Sequence, residues 1–292
     1  MGITICTVTF EADFRLTVLQ LLSIDRLASL GAIESYILVL NGTDNSQLRL
    51  AINDVVNSLG GALQEKIQIL EFDDLVDGPR VGYYDQQAAK LALANVVETE
   101  YYLMLDSKNH FVAPTDFGHF FKGSKPIMHL QAISDYWRPY VDRSAQALDF
   151  PKEKSLERVS NSVTPFLFKV KYVRELTNFL RVKYAEPLTR ALEKSGGTEF
   201  ILYSMYLRKI GKEDEYSLSE MPFRTLFTIW PQDPAIVEEY ISDLGHEIPV
   251  FGLHRNRLEQ LSGAQKALIA QMWSQHLLRP WEDATWFLEA GR

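Results

Sequence analysis

The stretch YYLMLDSKNHF, residues 101–111, runs from an apolar segment straight into a carboxylate and an ammonium group. Asp106 stands where the apolar run stops, Lys108 follows two positions later, and Asn109 and His110 complete a dense polar cluster. Such a carboxylate binds a metal ion, accepts hydrogen bonds from substrate hydroxyls, or only pairs with the lysine. A strand that merely ends more often shows Gly, Pro or Asn, so the cluster favours a functional site.

Three further segments carry candidate side chains. Gln87 and Lys90 of GYYDQQAAKLALA are three apart, so on a helix they share a face and offer an amide and an ammonium to an anion, although the pattern alone favours a polar outer face. Glu199 follows GGT at a helix start, where it acts as a general base or only stabilises the first turn. His254 and Arg255 end the apolar run VFGL and suit a phosphate or metal site, whereas a lone histidine is more often structural.

Composition excludes several classes of protein. The chain has 292 residues, 46% of them hydrophobic and 23% charged, which is ordinary for a globular protein. Its formal net charge of -8 argues against binding nucleic acid. Cys6 is the only cysteine, which suits a reducing compartment. The first residues do not resemble a signal peptide, and no run approaches the roughly 18 apolar residues of a membrane span. We therefore expect a cytoplasmic protein, with peripheral attachment to the inner face of a membrane left open.

The elements that must position these residues alternate in type. ITICTVTF, SYILVLNG, KIQILEF and YYLMLDS are predicted strands, and amphipathic helical segments separate them. This β-α-β-α-β-α-β order predicts a mostly parallel sheet with helices on both faces. Ligands of such sheets bind beyond the carboxyl ends of the strands, which places Asp106 in the crevice. The second half is less regular, with strands predicted at KPIMHLQA, TPFLFK, RTLFTIW and IPVFGLHR among helices.

Several familiar motifs are missing. The sequence contains neither GxGxxG after the first strand nor GxxxxGK[ST], so dinucleotide and P-loop binding are not supported. It contains no GxSxG nucleophile elbow. The absence of CxxC and HExxH gives no support to a zinc site.

Five segments together resemble the GT-A class of nucleotide-sugar-dependent glycosyltransferases, and most closely the bacterial family DUF6492. They are ITICTVTFEADFRL, GYYDQQAAKLALA, YYLMLDSKNHFVAP, TEFILYSMYL and VFGLHR. The resemblance implies an α/β fold of the GT-A, Rossmann-like type, with a mostly parallel central sheet flanked by helices. It implies one domain over 1–292, with a nucleotide-sugar-binding half at 1–112 and an acceptor-binding half at 113–292. The implied reaction moves a sugar from a nucleotide-sugar donor to an acceptor hydroxyl.

The same resemblance implies roles for particular residues. GT-A enzymes hold the nucleotide on the first strand and its loop, so the donor-site candidates there are Thr7, Thr9, Phe10 and Glu11. The candidates beside the diphosphate are Arg80, Lys90, Lys108 and Arg255, and Gln87 and Asn109 are further donor-site candidates. Asp106 is expected to bind hydroxyls of the donor.

The sequence departs from the family pattern at the acidic motif. GT-A enzymes usually carry Asp-x-Asp, whereas this chain has Asp106-Ser107-Lys108. Lysine does not bind Mg²⁺ or Mn²⁺, but it can stabilise the leaving diphosphate. We therefore expect weak or absent metal dependence. The alternative is a divalent cation held by Asp106 and His254 together with the diphosphate.

An inverting enzyme also needs a base beside the acceptor hydroxyl. Glu199 is the predicted base and Asp135 the reserve, whereas a retaining enzyme needs no base there, and the stereochemistry stays open. Tyr136, Trp137 and Tyr140 follow Asp135 and suit either an acceptor platform or core packing, with packing favoured.

The resemblance also implies the partners. It suggests a glycan or glycolipid acceptor of the bacterial surface, such as lipopolysaccharide or capsule. Two other functions stay open. A sugar nucleotidyltransferase would show glycines after the first strand, and FEADFR lacks them. A non-catalytic nucleotide-sugar-binding protein without a metal site agrees with Lys108.

Overall fold

The computed structural model describes residues 2–150 and 156–289. The strands are β1 Ile3–Thr9, β2 Ile33–Leu40, β3 Ile67–Glu71, β4 Tyr101–Asp106, β5 Asn109–Phe111, β6 Phe121–Lys122, β7 Lys125–Met128, β8 Leu130–Ala132, β9 Arg158–Ser160, β10 Phe166–Lys169, β11 Ser217–Leu218, β12 Phe223–Leu226 and β13 Val250–Leu253. The α-helices are α1 Phe14–Leu27, α2 Ser46–Ser58, α3 Gly61–Gln64, α4 Phe72–Leu75, α5 Tyr83–Ala92, α6 Arg138–Ala147, α7 Val170–Tyr184, α8 Leu188–Ser195, α9 Glu199–Lys209, α10 Pro234–Ser242, α11 Arg255–Leu258, α12 Gly263–His276 and α13 Ala284–Leu288. Short 3-10 helices lie at Glu11–Asp13, Leu30–Ala32, Leu93–Asn95, Phe117–Phe120 and Glu213–Glu215.

The predicted mostly parallel central sheet is confirmed. Five strands pair in the order β10-β4-β1-β2-β3, and all pairs are parallel except β10 with β4. β1 is buried along its whole length, as expected of a β-branched strand covered on both faces. Val8 lies opposite Val39 on one side and Asp106 on the other.

The strand order creates a switch point between β1 and β4. The chain proceeds from β1 outward through β2 to β3 and then returns to place β4 on the opposite side of β1. In open α/β sheets the ligand crevice lies at such a reversal, beyond the carboxyl ends of the strands. The carboxyl ends that flank this reversal are Thr9 and Asp106.

Alternation along the strands divides the core between the two faces of the sheet. Cys6 and Val8 of β1 pack with α5, α7, α8 and α9, whereas Ile3 and Ile5 pack with α1 and α2. A third core lies on the outer side of α1, where Leu16 and neighbouring residues contact β13, α10 and α12. Helix α1 is therefore buried between the sheet and the C-terminal helices.

The structure differs from expectation in several places. KPIMHLQA is not one strand, because β7 pairs with β6 and β11 whereas β8 pairs with β9. Helices α6, α8, α10, α11 and α13 were not predicted. The segment after Asp106 is not an open loop, since the chain turns at Ser107 and Lys108 and re-enters a sheet as β5, which pairs with β13. Within residues 2–150 and 156–289, no helix has both the length and the hydropathy needed to cross a bilayer.

Candidate functional site

Asp106 lies at the carboxyl end of β4 between two lysine side chains. The Nζ atom of Lys108 contacts its Oδ2 atom, and the Nζ atom of Lys90 lies 2.8 Å from its Oδ1 atom. Lys90 comes from α5, and both lysine side chains are largely shielded from solvent. Asp106 is therefore more than the partner of Lys108, because a second cation approaches it from a separate helix.

Glu199 joins this cluster from the start of α9. Its side chain is 4% exposed, and its Oε1 atom accepts a hydrogen bond of 3.1 Å from the Nζ atom of Lys90. Thr198 occupies the N-cap position of α9 but makes no capping hydrogen bond through its side chain. Lys90 thus holds two carboxylates that come from distant parts of the chain.

The charges in this cluster shift one another's pKa values. Burial raises the pKa of Asp106, but Lys108 and Lys90 outweigh burial and hold this pKa well below the usual range. Burial lowers the pKa of Lys90, but Asp106 and Glu199 outweigh it and raise this pKa above its usual value. Asp106 is therefore ionised and Lys90 protonated at neutral pH.

A buried hydrogen-bond network fixes the backbone around Asp106. The side-chain amide of Gln20 on α1 donates to the carbonyl oxygens of Asp106 and Asn109, each at 2.8 Å. Its carbonyl accepts hydrogen bonds from the hydroxyls of Thr7 and Tyr36. Gln20 therefore uses both ends of its amide to tie the turn after β4 to α1 and to two strands.

Asn109 and Thr164 complete that network from the other side. The Oδ1 atom of Asn109 accepts from the backbone N–H of Asp106 at 2.9 Å and from the hydroxyl of Thr164 at 2.6 Å. Thr164 precedes β10, the antiparallel strand beside β4. Asn109 is fully buried, so its role in the structure is to position Asp106.

A second polar group lies beside the turn after β4. The Oδ2 atom of Asp13 accepts a hydrogen bond of 2.6 Å from the hydroxyl of Ser107, and its Oδ1 atom lies 3.2 Å from the Nε atom of Arg255. Burial raises the pKa of Asp13, and Ser107 and Arg255 oppose that rise. Burial and then the charge of Lys108 lower the pKa of His254, which places His254 in the same electrostatic environment.

The residues present do not fit a divalent cation. Mg²⁺ and Mn²⁺ need several free oxygen ligands, but both carboxylate oxygens of Asp106 face ammonium groups. The Nδ1 atom of His254 accepts from the N–H of Asn256 at 3.3 Å and lies 3.1 Å from the hydroxyl of Thr228. Among the described residues, no group of three or more His, Cys, Asp or Glu side chains could hold a metal ion.

Other predicted donor residues lie around the end of β1. The hydroxyls of Thr7 and Thr9 are buried and directed to α1, where they bond Gln20 and Thr17. Phe10 lies beneath the guanidinium of Arg255, at 5.5 Å from its ring centroid. Glu11 is exposed in the 3-10 helix that follows.

Three predicted residues lie elsewhere around the site. Arg80 donates to Asn41 at the end of β2 and pairs with Asp73, and no contact joins it to Asp106. Asp135 is exposed in the segment before α6. Gln87 is buried on α5, and neither polar atom of its amide has a hydrogen-bond partner.

Three residues that organise the site were given no role from the sequence. The sequence carried a signal for Gln20, because a polar residue among the apolar positions of α1 is unusual. Asp13 also had one, because it follows the first strand at the same edge as Asp106. Thr164 had none, because its partner Asn109 is 55 residues away in the sequence.

Comparison with known proteins gives a family and several weak structural similarities. A family of unknown function, DUF6492, matches residues 5–230. No curated protein matches. One similar structure is that of the galactosyltransferase LgtC with donor and acceptor sugar analogs, at 10% identity and a TM-score of 0.46, over 95% of this chain and 98% of that chain.

Two further solved structures are comparably distant. Mouse xyloside xylosyltransferase 1 has 13% identity and a TM-score of 0.46, over 86% of this chain and 97% of that chain. The glycosyltransferase GlyE of Streptococcus pneumoniae TIGR4 has 12% identity and a TM-score of 0.49, over 99% of this chain and 62% of that chain. Because the identities and TM-scores are low, no residue role is carried over from these structures.

Proposed function

The chain belongs to the DUF6492 family, and we propose that it is a GT-A-type glycosyltransferase that moves a sugar from a nucleotide-sugar donor to an acceptor hydroxyl. One observation carries the proposal: the buried cluster of Asp106, Lys90, Lys108 and Glu199 lies at the switch point of the sheet. Ion clusters of this kind are expensive to bury, and they are common where charge must be stabilised during a reaction.

The donor binds where the turn after β4 meets the end of β1. Asp106, held ionised, accepts hydrogen bonds from ribose or sugar hydroxyls. Lys108 and Arg255 hold the diphosphate, because Lys108 contacts Asp106 at the turn and Arg255 lies beside Asp13 and Phe10 at the end of β1. Two carboxylates balance the charge of Lys90, so Lys90 holds Asp106 in place and does not bind phosphate.

Lysine takes the place of the usual cation in the chemical step. The acceptor oxygen bonds to the anomeric carbon of the donor sugar as the bond from that carbon to the diphosphate oxygen breaks. The electron pair of that bond leaves with the nucleoside diphosphate, and Lys108 stabilises the growing negative charge. Glu199 takes the proton of the acceptor hydroxyl, and Asp135 is the reserve for that role.

The finer assignments rest on the family resemblance. The proposed acceptor is a glycan or glycolipid in the synthesis of bacterial surface polysaccharide or lipopolysaccharide. The proposed location is the cytoplasm, with peripheral association at the inner membrane. Residues 1–112 supply most of the donor contacts, and residues 113–292 supply Glu199 and part of the acceptor side.

A donor-hydrolysis assay tests the reaction class. A panel of nucleotide sugars is incubated with the protein in the presence of Mn²⁺ or of EDTA, and free nucleoside diphosphate is measured. Slow release from one donor, undiminished by EDTA, supports a lysine-assisted transferase, whereas release that EDTA abolishes contradicts the role given to Lys108. Pyrophosphate-dependent formation of a nucleoside triphosphate indicates the nucleotidyltransferase. Donor binding without turnover, even with acceptors, indicates the non-catalytic protein.

The role of Glu199 has its own test. Glu199→Gln keeps an oxygen that accepts from Lys90, so folding and donor affinity should be retained. Transfer to the acceptor should fall by about 10²- to 10⁴-fold, the usual contribution of a general base. Glu238→Gln in the exposed face of α10 is the matched control. Wild-type turnover by Glu199→Gln would show that Glu199 is not the base.

A further inference from the structure

Two large aromatic side chains are exposed beside the buried charge cluster. Tyr83, the first residue of α5, is 64% exposed, and Tyr136, two residues before α6, is 70% exposed. The ring of Tyr136 meets that of Trp137 edge-on at 4.9 Å between centroids, and the ring of Tyr140 is 6.1 Å away. Core packing does not account for either exposed ring, because an aromatic side chain stabilises a core only when it is buried.

Close packing of the Ser144 side chain on Gly197 places α6 against the start of α9. A Cβ atom added to Gly197 would lie 2.5 Å from the Oγ atom of Ser144 on α6, so the helix touches the chain two residues before Glu199. Partial burial of its hydroxyl and then the charge of Glu199 raise the pKa of Tyr83 to about 12. Lys90, which lies on the same helix as Tyr83, donates to Glu199 at 3.1 Å, so α5 carries Tyr83 on the helix that contacts that carboxylate.

A stripe on α5 connects the aromatic residues to the charges. Tyr83, Gln87 and Lys90 are spaced by four and three residues, so they share one face of the helix. Gln87, between them, is 3% exposed, and neither its Oε1 nor its Nε2 atom has a hydrogen-bond partner among the residues that the structure describes. A buried amide without hydrogen-bond partners lowers the stability of the fold, so its presence in a folded protein calls for an explanation.

We propose that Tyr83, Tyr136 and Gln87 form a binding site for an uncharged sugar ring of the acceptor. The apolar C–H face of the ring stacks on the tyrosines, the Gln87 amide bonds a ring hydroxyl, and a further hydroxyl reaches Glu199. The inference rests on the proposed function, because it gives the glycosyl acceptor its place on the opposite side of Glu199 from the donor.

Charge selects a neutral ligand over an anionic one. Lys90 is paired with two carboxylates, and Arg143 stacks over Tyr140 with its guanidinium carbon 4.9 Å from the ring centroid. Among the described residues, no cation stacks on the ring of Tyr83 or Tyr136. A phosphate or carboxylate group on these rings would therefore meet no cation in direct contact with them, and the charge of Glu199 would repel it.

Saturation-transfer NMR with simple methyl pyranosides tests the site directly. The probes are the methyl glycosides of glucose, galactose, mannose and N-acetylglucosamine, each titrated onto the full chain without donor. At least one should bind the wild type through its ring C–H protons, and the double variant Tyr83→Ala/Tyr136→Ala should bind it about tenfold more weakly. Trp281→Ala, at a 75% exposed tryptophan among the C-terminal helices, is the matched control and should bind as the wild type does.

A second variant separates recognition from folding. Gln87→Met removes the unpartnered amide, so it should not lower stability, yet it should weaken glycoside binding. Equal binding to wild type and the double variant, or no binding of any probe to wild type, overturns the site. Donor hydrolysis without acceptor is measured in parallel on the wild type. If the wild type does not hydrolyse any donor, the proposed function is wrong. Weaker glycoside binding by the variants would still support the sugar site.

Discussion

Lys90 and Lys108 both contact Asp106, but they differ in what else they hold. Lys90 is buried and also pairs with Glu199, whereas Lys108 approaches Thr164 at 3.4 Å. The contact of Lys90 with Asp106 Oδ1 lacks the alignment of a hydrogen bond, although the atoms are 2.8 Å apart, so it is chiefly an ion pair. The two lysines therefore make different contributions to stability.

Substitution of each lysine should separate those contributions. Lys90→Met leaves Glu199 without its cation and Asp106 with Lys108 alone, so it should cost about 3–5 kcal/mol in the free energy of unfolding. Lys108→Met leaves both carboxylates paired with Lys90, so its cost should be clearly smaller while donor affinity falls. Urea denaturation of both variants measures the difference. Equal losses of stability would contradict the role of Lys90 as the common cation of Asp106 and Glu199.

At the scale of elements, the first half was predictable because its signals are local. The four predicted parallel strands and the helices between them follow from periodicity and glycine positions, and all are present. β5 was not predictable, because Asn109 and His110 look like polar loop residues until they pair with Gly252 and Phe251 of a strand about 140 residues later. Periodicity carries no information about such distant pairing.

The candidate site was likewise predictable only where its signals are local. Asp106 was placed correctly at the end of its strand, because strand order alone directs that residue to the crevice. The contact of Glu199 with Lys90 was not predicted, since it depends on how α9 packs against α5. Thr7 and Asn109 were expected to contact the donor, whereas their polar groups serve the network that holds the turn.

The start of α9 has its own prediction. A methyl group on Gly197 would meet the buried side chains of Ser144 and Leu202, so Gly197→Ala should cost about 1–3 kcal/mol and displace Glu199. Gly263→Ala is the matched control, because nothing lies within 4 Å of its added Cβ atom. The control should be neutral or stabilising by up to about 1 kcal/mol. Melting temperatures and transfer rates check both variants, and a Gly197→Ala protein with wild-type values would contradict the close packing.

At the scale of the whole molecule, a buried histidine links the sheet to the C-terminal helices. The indole N–H of Trp273 on α12 donates to the Nε2 atom of His110 on β5 at 2.8 Å, and Phe251 packs against the same imidazole. Burial lowers the pKa of His110 to about 3. This histidine is therefore neutral in the folded chain over the range in which an unfolded histidine becomes charged.

Acid should consequently weaken the fold through His110. Below an unfolded pKa of about 6.5, the unfolded chain binds a proton that the folded chain refuses until about pH 3. The stability that this group contributes is thus complete above pH 6.5 and is lost as pH falls, by up to about 1.4 kcal/mol per pH unit.

The variant His110→Gln tests this pH dependence. Its amide oxygen still accepts from Trp273 but does not titrate, so the slope of the unfolding free energy between pH 6 and about pH 4 should be smaller by that amount. Trp273→Phe keeps the histidine and removes its donor, so it should lower stability at neutral pH yet retain most of the slope. Urea denaturation across this pH range measures both, and an unchanged slope in His110→Gln would mean that His110 is protonated in the folded chain.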